Sequence, residues 1–595
     1  MKINIDEMNL KKVKIFVSLG LGIAGAMCFP WILQLEEEAI AYSYSFFAFF
    51  IGTFSAFAIY QISNTVDFSK RRGVLCAFLF SVILVVALVF GKQLDTVENV
   101  NIKNGGMWLA IVILTGYFTV FVVKVFTVLE SMSLQSLLQK GEVWTKTKSA
   151  IEERAAQRTE ETADEITAEK SIEPTWSKMK PILFTWLGLL LCWLPVFLAF
   201  YPGAFVYDAQ DEYVQVATRV FTTHHPLTHV LLLGGALVFA NKFFDSYNIG
   251  IAMYTIFQMV VLAGGFTYVL CFLKNHGMPK WGRILTFLFF GFFPIIPMYG
   301  VCSSKDTLFT LAVVIVFCLL LEYSWNEKGF LAKKGYSIAF VIFSIGMMLL
   351  RNNGVYAYIV FLLLTGVIVI VHWIVAKKEC EEQKTMPLSS KETIGIDKIC
   401  FWKKGYPYFM FLMLISVIGY LCISNLLAFV LDADSTGKQE ILTVPIQQIA
   451  RTYEYAPEVF TEEQKEILYE VLSEEALATY TPNISDIIKT HFNNEAYLED
   501  SQKYQKLWLE IGLQKPIIYT NAWFLTSYGY WYPDTIINVY GGTQRFTYMY
   551  EDSSFFGFET ELPGERDSKF PWLEEIYRKL SLEIYQQKVP VLSML

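Results

Sequence analysis

The chain has 595 residues, a formal net charge of −8, and 54% hydrophobic against 17% charged residues. Soluble globular chains carry about 25% charged residues, and this deficit, with a mean hydropathy of +0.39, argues against one. The acidic balance also argues against a nucleic-acid partner, whose phosphates call for a basic face.

The apolar residues come in blocks of roughly 16–24, long enough to cross a hydrocarbon core of about 30 Å as helices. They do not alternate as barrel strands do. The expected fold is therefore all-α and polytopic, with about eleven transmembrane helices. The nine cysteines lie almost all in or beside apolar segments and form no CxxC pair, so neither disulfide staples nor a zinc ribbon is expected.

In chain order, Lys11, Lys12 and Lys14 precede an apolar run at 13–33. This resembles a signal peptide, but the run continues past Ala24-Gly25-Ala26 and reads as a retained first span. Further blocks fall at 42–63, 73–91 and 107–128, giving an N-terminal four-helix membrane region, 1–130. Residues 131–180 are dense in charge and poor in aromatics, as expected of a cytoplasmic linker. Seven blocks follow, at 181–200, 250–272, 284–300, 307–324, 335–350, 355–376 and 405–430. They define a membrane core over 181–430, with a first outside loop at 201–249. The block 335–350 is short enough to be a partial span.

Orientation follows from Lys and Arg in the short loops. Lys70, Arg71 and Arg72, then Lys274, Lys280 and Arg283, then Lys328, Lys333 and Lys334 all belong inside. That holds only if the apolar stretch 227–240, with Gly234-Gly235, does not cross. It reads as an interfacial or re-entrant helix. The N-terminus is then cytoplasmic and the C-terminus extracytoplasmic. Residues 431–595 should form an extracytoplasmic domain, mainly helical (α or α+β). Its run Asn521–Pro533 suits a domain core, a membrane-surface contact or a glycan-stacking face.

Three outside loops hold nearly all the unusual polar residues. The first runs from Tyr201-Pro202-Gly203 through Asp208, Asp211 and Glu212 to His224-His225-Pro226 and His229. Its plainer reading is a solvated loop, but carboxylates, clustered imidazoles and turn residues together favour a site. The second is Ser303-Ser304-Lys305-Asp306, which could simply cap the next helix with a snorkelling lysine. The third is Arg351-Asn352-Asn353-Gly354. An outside arginine is less expected than an inside one, and polar groups at this depth are costly unless paired. Carboxylates can take a proton from a hydroxyl nucleophile, and Lys305 and Arg351 can neutralise a phosphate. No Walker loop, GxSxG or HExxH occurs.

The order Tyr201-Pro202-Gly203, Asp208, His225-Pro226-x-x-His229, Lys305-Asp306 resembles the bacterial multi-span glycosyltransferases of the GT-C fold. It looks most like a Gram-positive branch, the DUF6020-type proteins, and more distantly like protein O-mannosyltransferases and aminoarabinose lipid A transferases. The resemblance covers roughly 181–430. It implies an inverting sugar transfer from a polyprenyl-phosphate donor to a glycopolymer, lipid or protein acceptor of the cell envelope, at the outer face of the cell membrane. Asp208 matches the family's base, with Asp211 as the alternative and Glu212 beside it. His225 and His229 would shape the pocket, together with Tyr201, His224 and Asn353. Lys305, Arg351 and Asn352 would hold the donor phosphate, with Asp306 orienting Lys305. No cofactor is required. A divalent cation, Mg or Mn, is the alternative that Asp208, Asp211 and His225 leave open. His-His-Pro-Leu departs from the more familiar His-Pro-Pro.

Two rival readings remain. A transporter or lipid flippase predicts internal repeats and broken helices. No repeat is evident, although Pro294 and Pro297 interrupt one span. A non-catalytic scaffold would leave the three polar loops unexplained.

Overall fold

A computed structural model of the chain describes residues 5–33, 46–68, 71–131, 175–205, 207–384, 396–435, 437–533 and 567–585. Most of the charged linker, 132–174, lies outside these residues. The described residues form helices and no strand, apart from two isolated backbone bridges. They fall into two compact units. One holds the N-terminal helices and residues 437–533, and the other holds 175–435 and 567–585.

In the first unit, α1 (Ile5–Met27) pairs along its length with α2 (Phe46–Thr65), and α3 (Arg71–Val97) pairs with α4 (Gly105–Ser131). These helices are apolar nearly all round, as lipid-facing helices are.

The second unit is built on α5 (Thr175–Ala199), α6 (Tyr207–Thr218), α7 (Leu227–Phe244), α8 (Tyr247–Asn275), α9 (Lys280–Phe292), α10 (Ile295–Val301), α11 (Lys305–Trp325), α12 (Glu327–Ala332), α13 (Lys334–Leu350), α14 (Asn352–Lys384) and α15 (Ile396–Val430). One end is marked by His276 hydrogen-bonded to Glu322, at 2.6 Å. At the other end the termini of α5 and α10 meet, where Ala204 and Cys302 form a backbone bridge. Call these the far end and the site end. Seven elements run between them in alternating directions: α5, α8, the pair α9–α10, α11, α13, α14 and α15. The α9–α10 pair bends by 49° at Pro294, which has no N–H to give the helix. Helix α13 is only 17 residues, yet about 26 Å of helix suffices to reach Arg351 at the site end.

Nine helices among the described residues are long and apolar enough to cross a membrane, or ten if the bent pair is one span. The expected eleven differ in three places. Helix α1 is not counted, and its first half carries Lys11, Lys12 and Lys14. Helix α13 is short. Helix α7 is counted on length, since Gly234-Gly235 does not break it.

The packing of α7 keeps it at the site end. Gln258 on α8 lies level with the α10–α11 loop, and from there to His276 is about 27 Å of helix, a full crossing. The turns of α8 before Gln258 therefore extend past the site. Helix α7 packs on those turns: a Cβ at Gly250 would meet Leu237 Cα at 2.6 Å, and His229 meets Tyr254. Only a glycine permits so close a helix crossing.

Residues 437–533 are helical throughout: α16 (Thr443–Tyr455), α17 (Glu462–Val471), the short α18 (Glu474–Leu477), α19 (Ser485–Lys489) and α20 (Asn494–Glu499), α21 (Ser501–Gln514) and α22 (Pro516–Ser527). Thr461 and Gln464 form a reciprocal cap that starts α17. These helices have their own core, including Ile446, Leu468, Leu472 and Ile511. They are also tied to the α3–α4 connection. Buried Arg451 donates to the Glu98 carbonyl, and Asn521 accepts from the Val100 amide at 2.9 Å. Leu525, Tyr528 and Tyr532 pack with Val89, Leu94 and Leu114, so the aromatic run at 521–533 serves as core. The sequence reading keeps 1–130 and 431–595 apart. The structure instead joins 437–533 to the N-terminal helices through contacts that have no periodic trace in the sequence. Helix α23 (Pro571–Tyr585) belongs to the second unit and packs on α5 through Phe200 and Tyr577.

Candidate functional site

The site end of the second unit gathers residues from all three polar loops. Helix α5 stops at Ala199, and the chain turns through Pro202 and Gly203. Gly203 has φ +147°, and a Cβ there would overlap the Thr255 hydroxyl. Both the backbone and the close approach demand glycine. Ser303 donates its amide and its hydroxyl to the Ala204 carbonyl, at 2.9 and 3.0 Å, which seats the second loop beside the first. Ser304 then caps α11 by accepting from the Asp306 amide.

These constraints place Lys305 against Asp208 in the first turn of α6. The ammonium lies 2.7 Å from the Asp208 carboxylate and 3.0 Å from His225 Nδ1. As Nδ1 accepts from the ammonium, Nε2 bears the ring proton and faces Asp211 at 3.7 Å. Burial would raise the Asp208 carboxyl, but the Lys305 ammonium outweighs it and holds the group below the ordinary carboxylate value.

Asp306 does not orient Lys305, as the sequence reading expected. It pairs with Arg351, which also lies 5.8 Å from the centroid of Phe309. The reason is rotational: adjacent residues on a helix point about 100° apart, so Lys305 and Asp306 face different neighbours. Asn352 donates to the carbonyls of Thr223 and His224, both at 3.2 Å, and so holds the histidine loop. Asn353 is exposed on the first turn of α14. Thr223 donates its amide to Asp434 and Asp434 donates back to Phe221, both at 2.9 Å, which anchors the same loop to the end of α15.

Glu212 and His229 are fully buried and make a second polar chain. His229 Nδ1 bonds Glu212, and Nε2 bonds the Tyr254 hydroxyl at 2.6 Å. Tyr254 donates to Gln258 at 3.0 Å. Gln258 donates to the carbonyls of Tyr299, Gly300 and Cys302, at 2.8–3.1 Å. The directions are forced. The Gln258 amide nitrogen gives to carbonyls, so its oxygen accepts from Tyr254. The Tyr254 oxygen must then accept from His229 Nε2–H, and Glu212 and His229 share the proton between them. This chain fixes α6, α7, α8 and the α10–α11 loop to one another. Glu212 and His229 therefore position the site rather than face it.

Sequence reasoning missed Tyr254, Gln258, Asp434 and Lys569. Tyr254 and Gln258 carried a usable signal, as polar residues four apart inside an apolar helix. Lys569 lies 5.3 Å from the Tyr201 ring centroid, and its amide donates to the Leu198 carbonyl at 2.8 Å. Nothing in its local sequence announces that contact.

Among the described residues no three His, Cys, Asp or Glu side chains converge to hold a metal ion. The point where Asp208 and His225 approach each other is filled by the Lys305 ammonium.

The helices and the charged end define a multi-pass, all-α membrane protein. A family model matches residues 214–376 and 398–555, more than half of the chain. The chain belongs to that family, the family of unknown function DUF6020. No curated protein and no solved structure matches at a significant level. The match begins after Asp208, Asp211 and Glu212 but includes the histidine loop, Lys305, Asp306 and Arg351. It also runs past residue 430, so the helical segment after the core is a family feature, contrary to the narrower span of the resemblance.

Proposed function

We propose that this protein is a membrane glycosyltransferase of GT-C type. It moves a sugar from a polyprenyl-phosphate donor to a cell-envelope acceptor, with Asp208 as base. The observation that carries this reading is the meeting of Asp208 with Lys305 and His225 at one end of a seven-helix membrane unit. Basic residues support an extracytoplasmic site. Lys274, Lys280, Arg283, Lys333 and Lys334 cluster at the far end, which the positive-inside rule assigns to the cytoplasm.

The chemistry is a single displacement. The acceptor hydroxyl oxygen attacks the anomeric carbon, the bond from that carbon to the phosphate oxygen breaks, and the electron pair leaves with the phosphate. The hydroxyl proton passes to Asp208. Lys305 and Arg351 offset the charge that grows on the leaving phosphate. At rest both cations are already paired, with Asp208 and Asp306. A donor phosphate that draws Lys305 away frees Asp208, raises its proton affinity and makes it a better base. Donor binding thereby switches the base on.

The test uses purified protein in lipid nanodiscs with a panel of polyprenyl-phosphate sugars, wild type beside Asp208→Asn. Donor binding by both, with transfer or sugar release only in the wild type, is expected. Absence of donor binding across the panel overturns the reading. The bent α9–α10 pair favours a transporter or flippase as the second reading, and lipid flipping in the same nanodisc lipids, reconstituted in vesicles, tests it.

A further inference from the structure

The first unit contains a cavity of about 410 Å³ inside the helical segment 437–533. Its wall comes from α16, α17 and α21, with Ile446, Ile449, Leu468, Val471, Leu472 and Leu507 supplying much of it. Gln505 is the only amide in the wall.

The few polar atoms there are already engaged. Tyr504 donates to Glu470 at 2.6 Å, Gln505 donates to Tyr497 at 3.1 Å, and Trp508 donates to Gln448 at 2.9 Å. Water needs two to four polar partners to occupy a cavity, and this mostly apolar wall offers it few. A polar ligand meets the same obstacle. The chemistry left is hydrocarbon.

Size and place narrow the occupant further. An apolar cavity of about 150 Å³ accepts the six carbons of benzene, so by proportion this one accepts about sixteen. Half-exposed Leu509 and exposed Gln505 stand at its mouth, so one end of a ligand can reach solvent. Arg451, two residues beyond Ile449 on α16, grips the Glu98 carbonyl at the end of the membrane helix α3. The cavity therefore lies in the helical layer that contacts the end of α3.

We infer that this cavity binds the hydrocarbon chain of a single-chain amphiphile, acyl or prenyl, of about sixteen carbons. The inference does not rest on the proposed transferase reading, whose residues lie in the other unit.

The test is photolabelling of the full-length protein in nanodiscs with two diazirine probes, one a palmitic acid and one a farnesol, followed by peptide mapping. Crosslinks on 442–449 and 504–509, competed by the unlabelled chain, are expected, and the stronger probe identifies the chain as acyl or prenyl. Ile449→Phe projects a ring into the space and should cut labelling of those peptides severalfold, with labelling of α1–α4 unchanged. Wild-type crosslinks confined to the membrane helices overturn the inference whatever the variant does. Equal cavity labelling in wild type and in a folded Ile449→Phe protein overturns it as well.

Discussion

Lys305 and Asp208, 97 residues apart in sequence, form an ion pair of 2.7 Å in which the ammonium also touches His225. The pair has a definite consequence for pH. Burial favours the protonated carboxyl, and the Lys305 charge reverses that preference. Lys305→Met should raise the Asp208 value above its ordinary one, so the acid limb of the activity profile moves to higher pH. The same linkage acts on stability. A carboxyl held low in the fold contributes stability above its unfolded value and loses it as pH falls through the folded one. Lys305→Met removes that contribution. Turnover and melting temperature across pH 4–8 check both statements, and an unmoved acid limb would show that Asp208 is not the titrating base.

Arg351 and Asp306 give a prediction about the donor. Arg351→Ala leaves Asp306 as an uncompensated anion near the incoming phosphate. Donor affinity should fall by about tenfold to a hundredfold, the range of 1.4–3 kcal/mol expected of a charge-assisted contact. Asp306→Asn should weaken binding far less, or strengthen it. Equilibrium binding of a labelled polyprenyl phosphate distinguishes the two variants.

Gln258 gives a prediction about positioning. Gln258→Leu removes the amide that bridges the carbonyls of Tyr299, Gly300 and Cys302 and should cost about 1–3 kcal/mol. Tyr254→Phe breaks the chain one bond earlier. Because both act through one chain, the double variant should cost less than the sum of the singles. Additive losses in a double-mutant thermal unfolding cycle would mean the chain is not coupled.

Asn521 gives a prediction for the first unit. Its amide accepts from Val100 and donates to Asn99, and it is buried. Asn521→Ala should destabilise the attachment of 437–533 to α3 and α4 by about 1–3 kcal/mol. Limited proteolysis should then release this segment before the membrane helices are cut. Wild-type protection in the variant would place the attachment elsewhere.

Gly203 gives the sharpest steric prediction. Gly203→Ala combines a backbone conformation that L-residues rarely adopt with overlap on Thr255. It should lower the melting temperature and uncouple the loop carrying Asp208 from Ser303. Thr255→Ala should recover part of the loss by making room, whereas no rescue would assign the damage to the backbone alone.

The membrane class, nearly all the lengthwise helices and the three polar loops were legible in the chain. Helix length and hydropathy are local quantities, so each can be read from a window of residues. The crossing at 280–301 was legible as a block, and its bend was foreshadowed by Pro294 and Pro297. The gathering of Asp208, His225, Lys305 and Arg351 at one end was legible too, because helices that alternate in direction bring every second loop to the same end. The pairing of side chains emerged from the packed fold alone. That fold gave Asp306 to Arg351 and Lys305 to Asp208, turned Glu212 and His229 inward, and joined Arg451 and Asn521 to the end of α3. Those choices depend on helix rotation and on contacts between residues tens to hundreds of positions apart. Neither leaves a period or a composition in the chain, so they emerge only when the helices are packed.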